Sequence, residues 1–182
     1  MDDILAQRSA IALQCAKYIC FDRVKSFAFA KQKATKYLPL KSFNPSNHEI
    51  LEQIKLLQDH GDATYCNKLK VRVKAVLKIM SLLKNHDPKL FGLLTYNVFL
   101  EHDSNELHVF SDNEVEVLNL LISNGLKSRN IEKRYRFHAG DQAIMYGYEF
   151  EYHGSDYQIM LFERRQVSRV PICPILQKRM KR

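Results

Sequence analysis

The sequence predicts an α+β protein in which an N-terminal helical segment precedes a small mixed or antiparallel sheet with one intervening helix. Up to Pro88, apolar residues recur at the three- and four-residue spacing of amphipathic helices. After Pro88, several segments alternate strictly or are rich in aromatic and branched residues, as strands are. We therefore expect a helical segment at residues 1–87, an α+β core at 88–165 and a basic C-terminal tail at 166–182.

The first two helices are predicted from caps and apolar stripes. Asp2 or Asp3 can cap the first helix, and Asp22 can cap the second, which Pro39 should end. The expected stripe of the first helix is Ile4, Ala12, Leu13, Ala16 and Ile19. The expected core stripe of the second helix is Val24, Phe27, Ala30, Ala34 and Leu38.

Two further helices complete the first half. Residues 46–49 read S-N-H-E, the S-x-x-E form of a capping box, and predict a third helix that ends near Gly61. A fourth, longer helix should start after Asp62 and end before Pro88. Its expected buried stripe is Leu69, Val73, Val76, Leu77, Met80 and Leu83.

Five segments after Pro88 have strand character. They cover residues 90–100, 106–110, 134–137, 144–152 and 157–162. One helix should interrupt them, beginning in the sequence S-D-N-E at 111–114 and ending at Gly125. Hairpin turns are predicted at Ala139-Gly140 and His153-Gly154. The last three strands should therefore form a meander.

Several function classes are excluded by missing motifs. The six glycines form neither G-x-G-x-x-G nor a P-loop, and G-x-S-x-G and H-E-x-x-H are absent. The four cysteines form no C-x-x-C pair, so the sequence indicates no structural zinc site. The acidic start and the lack of an apolar run of ~18 residues predict a cytoplasmic protein that does not enter membranes.

The charge distribution is compatible with binding to nucleotide or RNA, and equally with solvated lysines on helix surfaces. Residues 1–87 carry 15 basic and 8 acidic side chains, whereas residues 88–163 carry 6 and 12. On the second predicted helix, Lys25, Phe29, Lys33 and Lys36 share the side opposite the apolar stripe. A phenylalanine among lysines can stack a base while the amines bind phosphates. Alternatively, Phe29 packs under a neighbouring helix and the lysines are simply solvated.

An acid and an imidazole two residues apart mark the strand at 106–110. Because strand side chains alternate, Glu106 and His108 leave the same face. Glu149 and Glu151 alternate in the same way on a later strand. Together these four side chains could bind a divalent metal, and a glutamate with a histidine suits zinc or manganese better than paired magnesium. The same pattern is also typical of the wet side of a half-exposed sheet.

This layout resembles the nucleotidyltransferase superfamily, which includes the polymerase beta-like proteins. In that superfamily a G-[GS] turn precedes a D-h-D strand, where h is apolar, and a third acid on a neighbouring strand completes a divalent-metal site for phosphoryl displacement. Here Tyr96-Asn97 replaces the turn, and Glu106 and His108 replace the aspartates. The expected partner strand at 157–161 offers Gln158 in place of the third acid.

Nearly the whole chain is similar to an uncharacterised proteobacterial family with a nucleotidyltransferase-like core. Residues 30–34 resemble its A-K-R-K-A motif, 45–50 its P-[ST]-N-x-E-I, 88–97 its P-R-L-V-G-x-V-L-x-G-T-A, 107–110 its L-H-L-F, and 171–182 its P-x-S-P-x-x-G-x-P-M-x-R. With the departures above, the resemblance implies a degenerate, non-catalytic domain that acts by nucleotide or RNA binding. Two alternatives stay open: an active metal-dependent nucleotidyltransferase using Glu106 and His108, and a protein-interaction module.

Overall fold

The α+β class is confirmed by a computed structural model, which describes residues 2–36, 44–59, 63–137, 140–169 and 171–173. Its elements are α1 Asp2–Cys20, α2 Phe27–Thr35, α3 Asn47–Asp59, α4 Ala63–Leu82, β1 Lys89–Phe91, β2 Asn105–Phe110, α5 Glu114–Ser123, β3 Arg129–Arg136, β4 Gln142–Tyr152 and β5 Ser155–Phe162. The chain divides into two compact units between Cys66 and Asn67. Within the described ranges, no helix has the length and apolarity needed to cross a membrane.

The first unit is built from helices that share an apolar core. α1 packs against both α2 and α3. The buried apolar residues are Ile11, Ala12, Cys15, Ala16 and Ile19 of α1, Ala30 of α2, and Ile50, Leu51 and Ile54 of α3. Ile4, expected in this core, is exposed. The capping box is confirmed, because Ser46 Oγ accepts from Glu49 N–H and the Glu49 carboxylate accepts from Ser46 N–H.

The start of the second helix differs from the prediction. Ser26, and not Asp22, is the N-cap of α2, and its hydroxyl accepts the Phe29 N–H at 3.3 Å. Asp22 instead accepts a hydrogen bond from Lys33 at 2.6 Å. Val24 and Lys25 therefore precede the helix. Leu38 and Pro39 lie outside the described residues, so the predicted end of the helix is not described.

The predicted buried stripe of α4 is confirmed only in part. Val76 and Ile79 of α4, and Leu83 directly after it, join the same apolar cluster as strand residues of the sheet. Met80 packs partly buried against this cluster, whereas Val73 and Leu77 are exposed. This packing places the C-terminal half of α4 with the sheet, in the compact unit that begins at Asn67. The cluster also contains Val117 and Leu121 of α5, Leu107 and Val109 of β2, and Tyr148, Phe150, Tyr157 and Ile159 of β4 and β5.

The sheet is mixed, with the strand order β1-β2-β5-β4-β3. β2 and β5 pair in parallel, and the other neighbours are antiparallel. β1 is much shorter than the predicted strand at 90–100, because Gly92 adopts a φ of 94° and a 3-10 helix follows over residues 93–96. β3 is longer than predicted and begins at Arg129. The turn at His153-Gly154 is confirmed, with both residues at positive φ.

Candidate functional site

Glu106 and His108 lie on one face of the second strand in the sheet order, as the alternation predicts. Their side chains point to the face that carries a second apolar cluster, formed by Phe91, Phe110, Tyr135, Phe137, Met160 and Phe162. Neither side chain is solvated: Glu106 is 6% exposed and His108 is 4% exposed. The prediction of an ordinary wet sheet face is therefore wrong at these two positions.

The Glu106 carboxylate has a partner on each oxygen. His108 Nε2 lies 2.8 Å from Oε1, and the Tyr135 hydroxyl donates to the same oxygen. The Lys133 ammonium donates to Oε2 and forms an ion pair with it. A buried carboxylate is costly unless it is paired and hydrogen-bonded, and these three donors satisfy it. We call Glu106, His108, Lys133 and Tyr135 the sheet network.

The sheet network requires a strongly curled sheet. Lys133 and Tyr135 belong to β3, and two strands separate β3 from β2 in the sheet order. At a spacing of about 4.8 Å per strand, three steps in a flat sheet would span roughly 14 Å, more than these side chains can bridge. The positions between them on this face include Ala143, opposite Tyr135, and Gly147. Such small residues leave room for the curled face to close.

Glu106 is ionised and Tyr135 is neutral in this environment. Burial opposes ionisation of Glu106, but the hydrogen bond with His108 and the charge of Lys133 outweigh it and lower its pKa to about 2. Burial and the neighbouring Glu106 charge raise the pKa of Tyr135 far above its ordinary value. Because an ionised carboxylate only accepts, His108 Nε2 must carry the shared proton.

Aromatic rings enclose the imidazole of His108. The ring of Phe91 stacks on it with centroids 4.5 Å apart, and Phe162 lies at 4.7 Å. Tyr135 meets it edge-on at 5.3 Å. Aromatic pairs at such separations contribute packing energy and fix ring orientation. The imidazole is therefore held rigidly with one nitrogen directed at Glu106.

A polar row continues from the sheet network across the sheet. Gln158 lies opposite both Glu106 and Glu149 in the strand register. Its Nε2 donates to Glu149 Oε1 at 2.9 Å, and Lys133 donates to its Oε1 at 3.4 Å. Arg129 donates to the other Glu149 oxygen. Amide and basic side chains thus separate the two carboxylates that the sequence suggested could converge.

The four residues proposed as metal ligands do not form one cluster. Glu106 and His108 contact each other, Gln158 and Lys133 lie between them and Glu149, and Glu151 is an exposed residue opposite Asp156. Among the residues that the structure describes, no three His, Cys, Asp or Glu side chains are placed to hold one metal ion. The Lys133 ammonium lies against the Glu106 carboxylate where a bound cation would have to lie.

Lys133 and Tyr135 were not predicted as site residues. The predicted strand began only at residue 134, since the stretch R-N-I-E-K at 129–133 lacks apolar alternation. The nucleotidyltransferase-like pattern predicted the strand at 157–161 as the partner of β2, and the register confirms the two strands as neighbours; their parallel direction was not predicted. A longer β3 would have placed Lys133 and Tyr135 on one face of that strand.

The lysine and phenylalanine side chains near α2 form a separate candidate surface in the first unit. Phe29 is 55% exposed, so the alternative in which it packs under a neighbouring helix is wrong. Lys25 and Lys36 are exposed at either end of α2. Lys33 is engaged, because its ammonium pairs with Asp22 and lies 4.1 Å from the centre of the Tyr18 ring.

A second exposed aromatic lies just after α1. Phe21 is 70% exposed, and Arg23, exposed as well, follows it at a positive φ of 55°. Between residues 17 and 36 there are six basic side chains and one acid, Asp22. We call Phe21, Arg23, Lys25, Phe29 and Lys36 the helical surface. It combines aromatic rings and positive charge on adjacent elements of the first unit.

The basic C-terminal tail is described only in its first part. Arg164 to Ser168 form a 3-10 helix, in which Arg165 pairs with Glu163. The Arg169 guanidinium lies 4.3 Å from the centre of the Phe137 ring. The remaining tail bases, Lys178, Arg179, Lys181 and Arg182, lie outside the described residues. The described arginines are thus partly committed to local contacts.

Comparisons with family models, with curated proteins and with solved structures find no match for this chain.

Proposed function

We propose that this protein binds nucleotides or single-stranded RNA through the helical surface. We also propose that its second unit is a degenerate, non-catalytic nucleotidyltransferase-like domain. The observation that supports the binding function best is the 55% exposure of Phe29 on a helix flanked by lysines. A folded protein gains little from leaving a phenylalanine ring in water, whereas a nucleobase can stack on it.

Charge supports the same ligand class. Lys25, Lys36 and Arg23 are exposed, and the only acid of this segment, Asp22, is already paired with Lys33. Phosphates of a flexible strand could therefore reach several cations without meeting an unneutralised carboxylate in this segment. Because strands without base pairing expose their bases, stacking on Phe21 and Phe29 favours single strands over duplexes.

The sheet network supports the non-catalytic part of the proposal. A nucleotidyltransferase needs carboxylate oxygens open to a divalent cation. In this chain both oxygens of Glu106 accept hydrogen bonds, and Gln158 lies opposite it where the superfamily pattern expects an acid. Glu106 and its partners are thus better suited to closing the sheet than to binding a metal nucleotide.

Replacement of Phe29 by alanine tests the binding function. We expect the Kd for single-stranded RNA, measured by fluorescence anisotropy at low salt, to rise about tenfold or more, because one stacked base is lost. The double variant Lys25→Ala/Lys36→Ala should reduce the slope of log K against log salt by about 0.7 for each lost phosphate contact.

Leu56→Ala and Lys55→Ala provide matched controls on α3, since Leu56 is another exposed apolar residue of the same unit and Lys55 another lysine. Both should leave RNA affinity within about twofold of the parent protein. Equal affinities for the Phe29→Ala variant and its control, or no saturable binding by the parent, would contradict the proposal. Co-purification of a defined protein without nucleic acid would instead favour the interaction module.

A nucleotide-incorporation assay tests the non-catalytic part separately. We expect no transfer of labelled nucleotide to RNA or protein acceptors with magnesium, manganese or zinc. Transfer that depends on the added metal and disappears in Glu106→Gln, measured while that variant is still folded by circular dichroism, would establish the enzyme alternative. Glu101→Gln, which changes an exposed acid of the same unit, is the matched control.

A further inference from the structure

The sheet face opposite the sheet network is only partly covered by helices. α5 reaches the sheet at Tyr148, whose hydroxyl hydrogen-bonds with the Glu114 carbonyl oxygen at 3.5 Å. Two and four residues earlier on the same face of β4, Tyr146 is 62% exposed and Ile144 is 46% exposed. The second unit therefore presents an aromatic and an aliphatic side chain on bare sheet, beyond the end of α5.

Two arginines flank these exposed residues. Arg134 lies directly opposite Ile144, and Arg136 lies opposite Gln142, so all four share one face. Both arginines are exposed. Within the described part of the chain, neither guanidinium makes a hydrogen bond or an ion pair. Their charge is thus available to an external anion.

A cleft lies beside this patch. It has a volume of about 490 Å³ and is lined on the sheet side by Ile144, Tyr146 and Leu161. Asp112 and Glu114, at the start of α5, also line it, together with Glu163 and Gln166. This volume falls within the range of about 300–1,000 Å³ that is usual for ligand pockets, so one nucleobase fits easily.

Two of the acids around the cleft already have partners. Asp112 accepts a hydrogen bond from the Arg164 N–H at 3.0 Å, and Glu163 is paired with Arg165. Glu114, which lines the cleft, is an acceptor that could receive the amino group of a base. Glu132 lies opposite Tyr146 on β3, the strand that carries the two arginines, and does not line the cleft. Phosphates would face the arginines on the other side of the tyrosine.

We infer that this surface is a second contact for a single strand of nucleic acid, in which Tyr146 stacks a base beside the cleft while Arg134 and Arg136 bind adjacent phosphates. The combination of an exposed aromatic on a sheet, unpaired arginines and a base-sized cleft matches single-stranded nucleic acid better than an acidic peptide, which offers no ring to stack. The ligand class rests on the proposed function, but the surface lies in the other unit and is independent of the helical surface.

The test uses the full chain and single-stranded RNA that contains 4-thiouridine. Photo-crosslinking followed by mass spectrometry should yield an adduct on the peptide that contains Tyr146. Tyr146→Ala should raise the Kd about tenfold or more, whereas Tyr146→Phe, which keeps the ring, should stay within about twofold. The double variant Arg134→Ala/Arg136→Ala should lower the salt slope by about 1.4, for two lost phosphate contacts.

Control variants separate this surface from general charge and from the helical surface. Lys74→Ala/Lys84→Ala removes the same charge from exposed positions elsewhere in the unit and should leave the salt slope nearly unchanged. If Phe29→Ala weakens binding but Tyr146→Ala and the crosslink map do not respond, the inference fails and the helical surface stands. If Tyr146→Ala weakens RNA binding and Phe29→Ala does not, the inference is supported and the helical surface is excluded as a binding site. The inference would also be overturned if an acidic peptide bound in a way that depends on Arg134 and Arg136 while Tyr146→Ala left the Kd for RNA unchanged.

Discussion

Gly147→Ala is expected to lower the free energy of unfolding of the second unit by about 3 kcal/mol or more. A Cβ atom at this position would lie 2.0 Å from the Ile159 carbonyl oxygen, which belongs to the backbone of the neighbouring strand. Relief requires a shift of β4 against β5, and these two strands make up the middle of the sheet together with β2. Urea denaturation followed by far-UV circular dichroism measures the effect.

Gly140→Ala is the matched control for this change. Its Cβ would meet nothing within 4 Å, but its φ of 84° disfavours alanine. The expected loss is therefore only about 1–2 kcal/mol, from backbone conformation alone. Similar losses for the two variants would show that close strand approach at Gly147 does not constrain the sheet.

Glu106→Gln is expected to reduce the free energy of unfolding by about 3 kcal/mol, the low end of the range for a broken buried ion pair. The amide keeps the shape of the side chain but leaves Lys133 without its anion and gives Tyr135 and His108 a weaker acceptor. The low end applies because the Lys133 side chain is 44% exposed and can turn to water. Chemical denaturation at neutral pH provides the measurement.

Glu101→Gln is the control for loss of a carboxylate charge in the same unit. Its ion pair with Lys68 lies on the surface, so we expect a change below about 1 kcal/mol. A Glu106→Gln variant no less stable than Glu101→Gln would mean that the sheet network does not hold the curled sheet closed.

The pH dependence of stability follows from the same residue. The pKa of Glu106 falls from its ordinary 4.5 to about 2 on folding, so its stabilising contribution is fully present above about 4.5 and is lost as the pH falls toward about 2. Glu49 behaves alike in the first unit, where Arg8 lowers its pKa to about 2. Because Glu106→Gln removes only one of the two contributions, its acid-induced loss of stability should be shallower than that of the parent.

The elements that could be predicted are those specified by local signals. The S-x-x-E capping box, the start of α5 within residues 111–114 and Gly125 after α5 are short-range features, and the structure confirms each. β2 and β5 were also found, because aromatic and branched residues mark them clearly. Such signals depend on residues within a few positions of one another.

The environment of Glu106 could not be predicted in the same way. Its burial depends on Lys133 and Tyr135, which reach it from a strand three places away in the sheet order. Alternation specifies which side chains share a face, but not whether the sheet curls over that face. The exposure of Phe29 is likewise a matter of tertiary packing, since helical periodicity alone allowed both a buried and an exposed ring.

The parallel pairing of β2 with β5 has a consequence for the order in which the chain folds. β3, β4 and β5 are consecutive hairpin partners, so short loops bring them together early. β2 must instead close a loop of about fifty residues, from Asn105 to Tyr157, before its first hydrogen bonds with β5 can form. We therefore expect β2 to join late, which would make completion of the five-stranded sheet the slow step of folding. Until then, Lys133 and Tyr135 would have no carboxylate to bind.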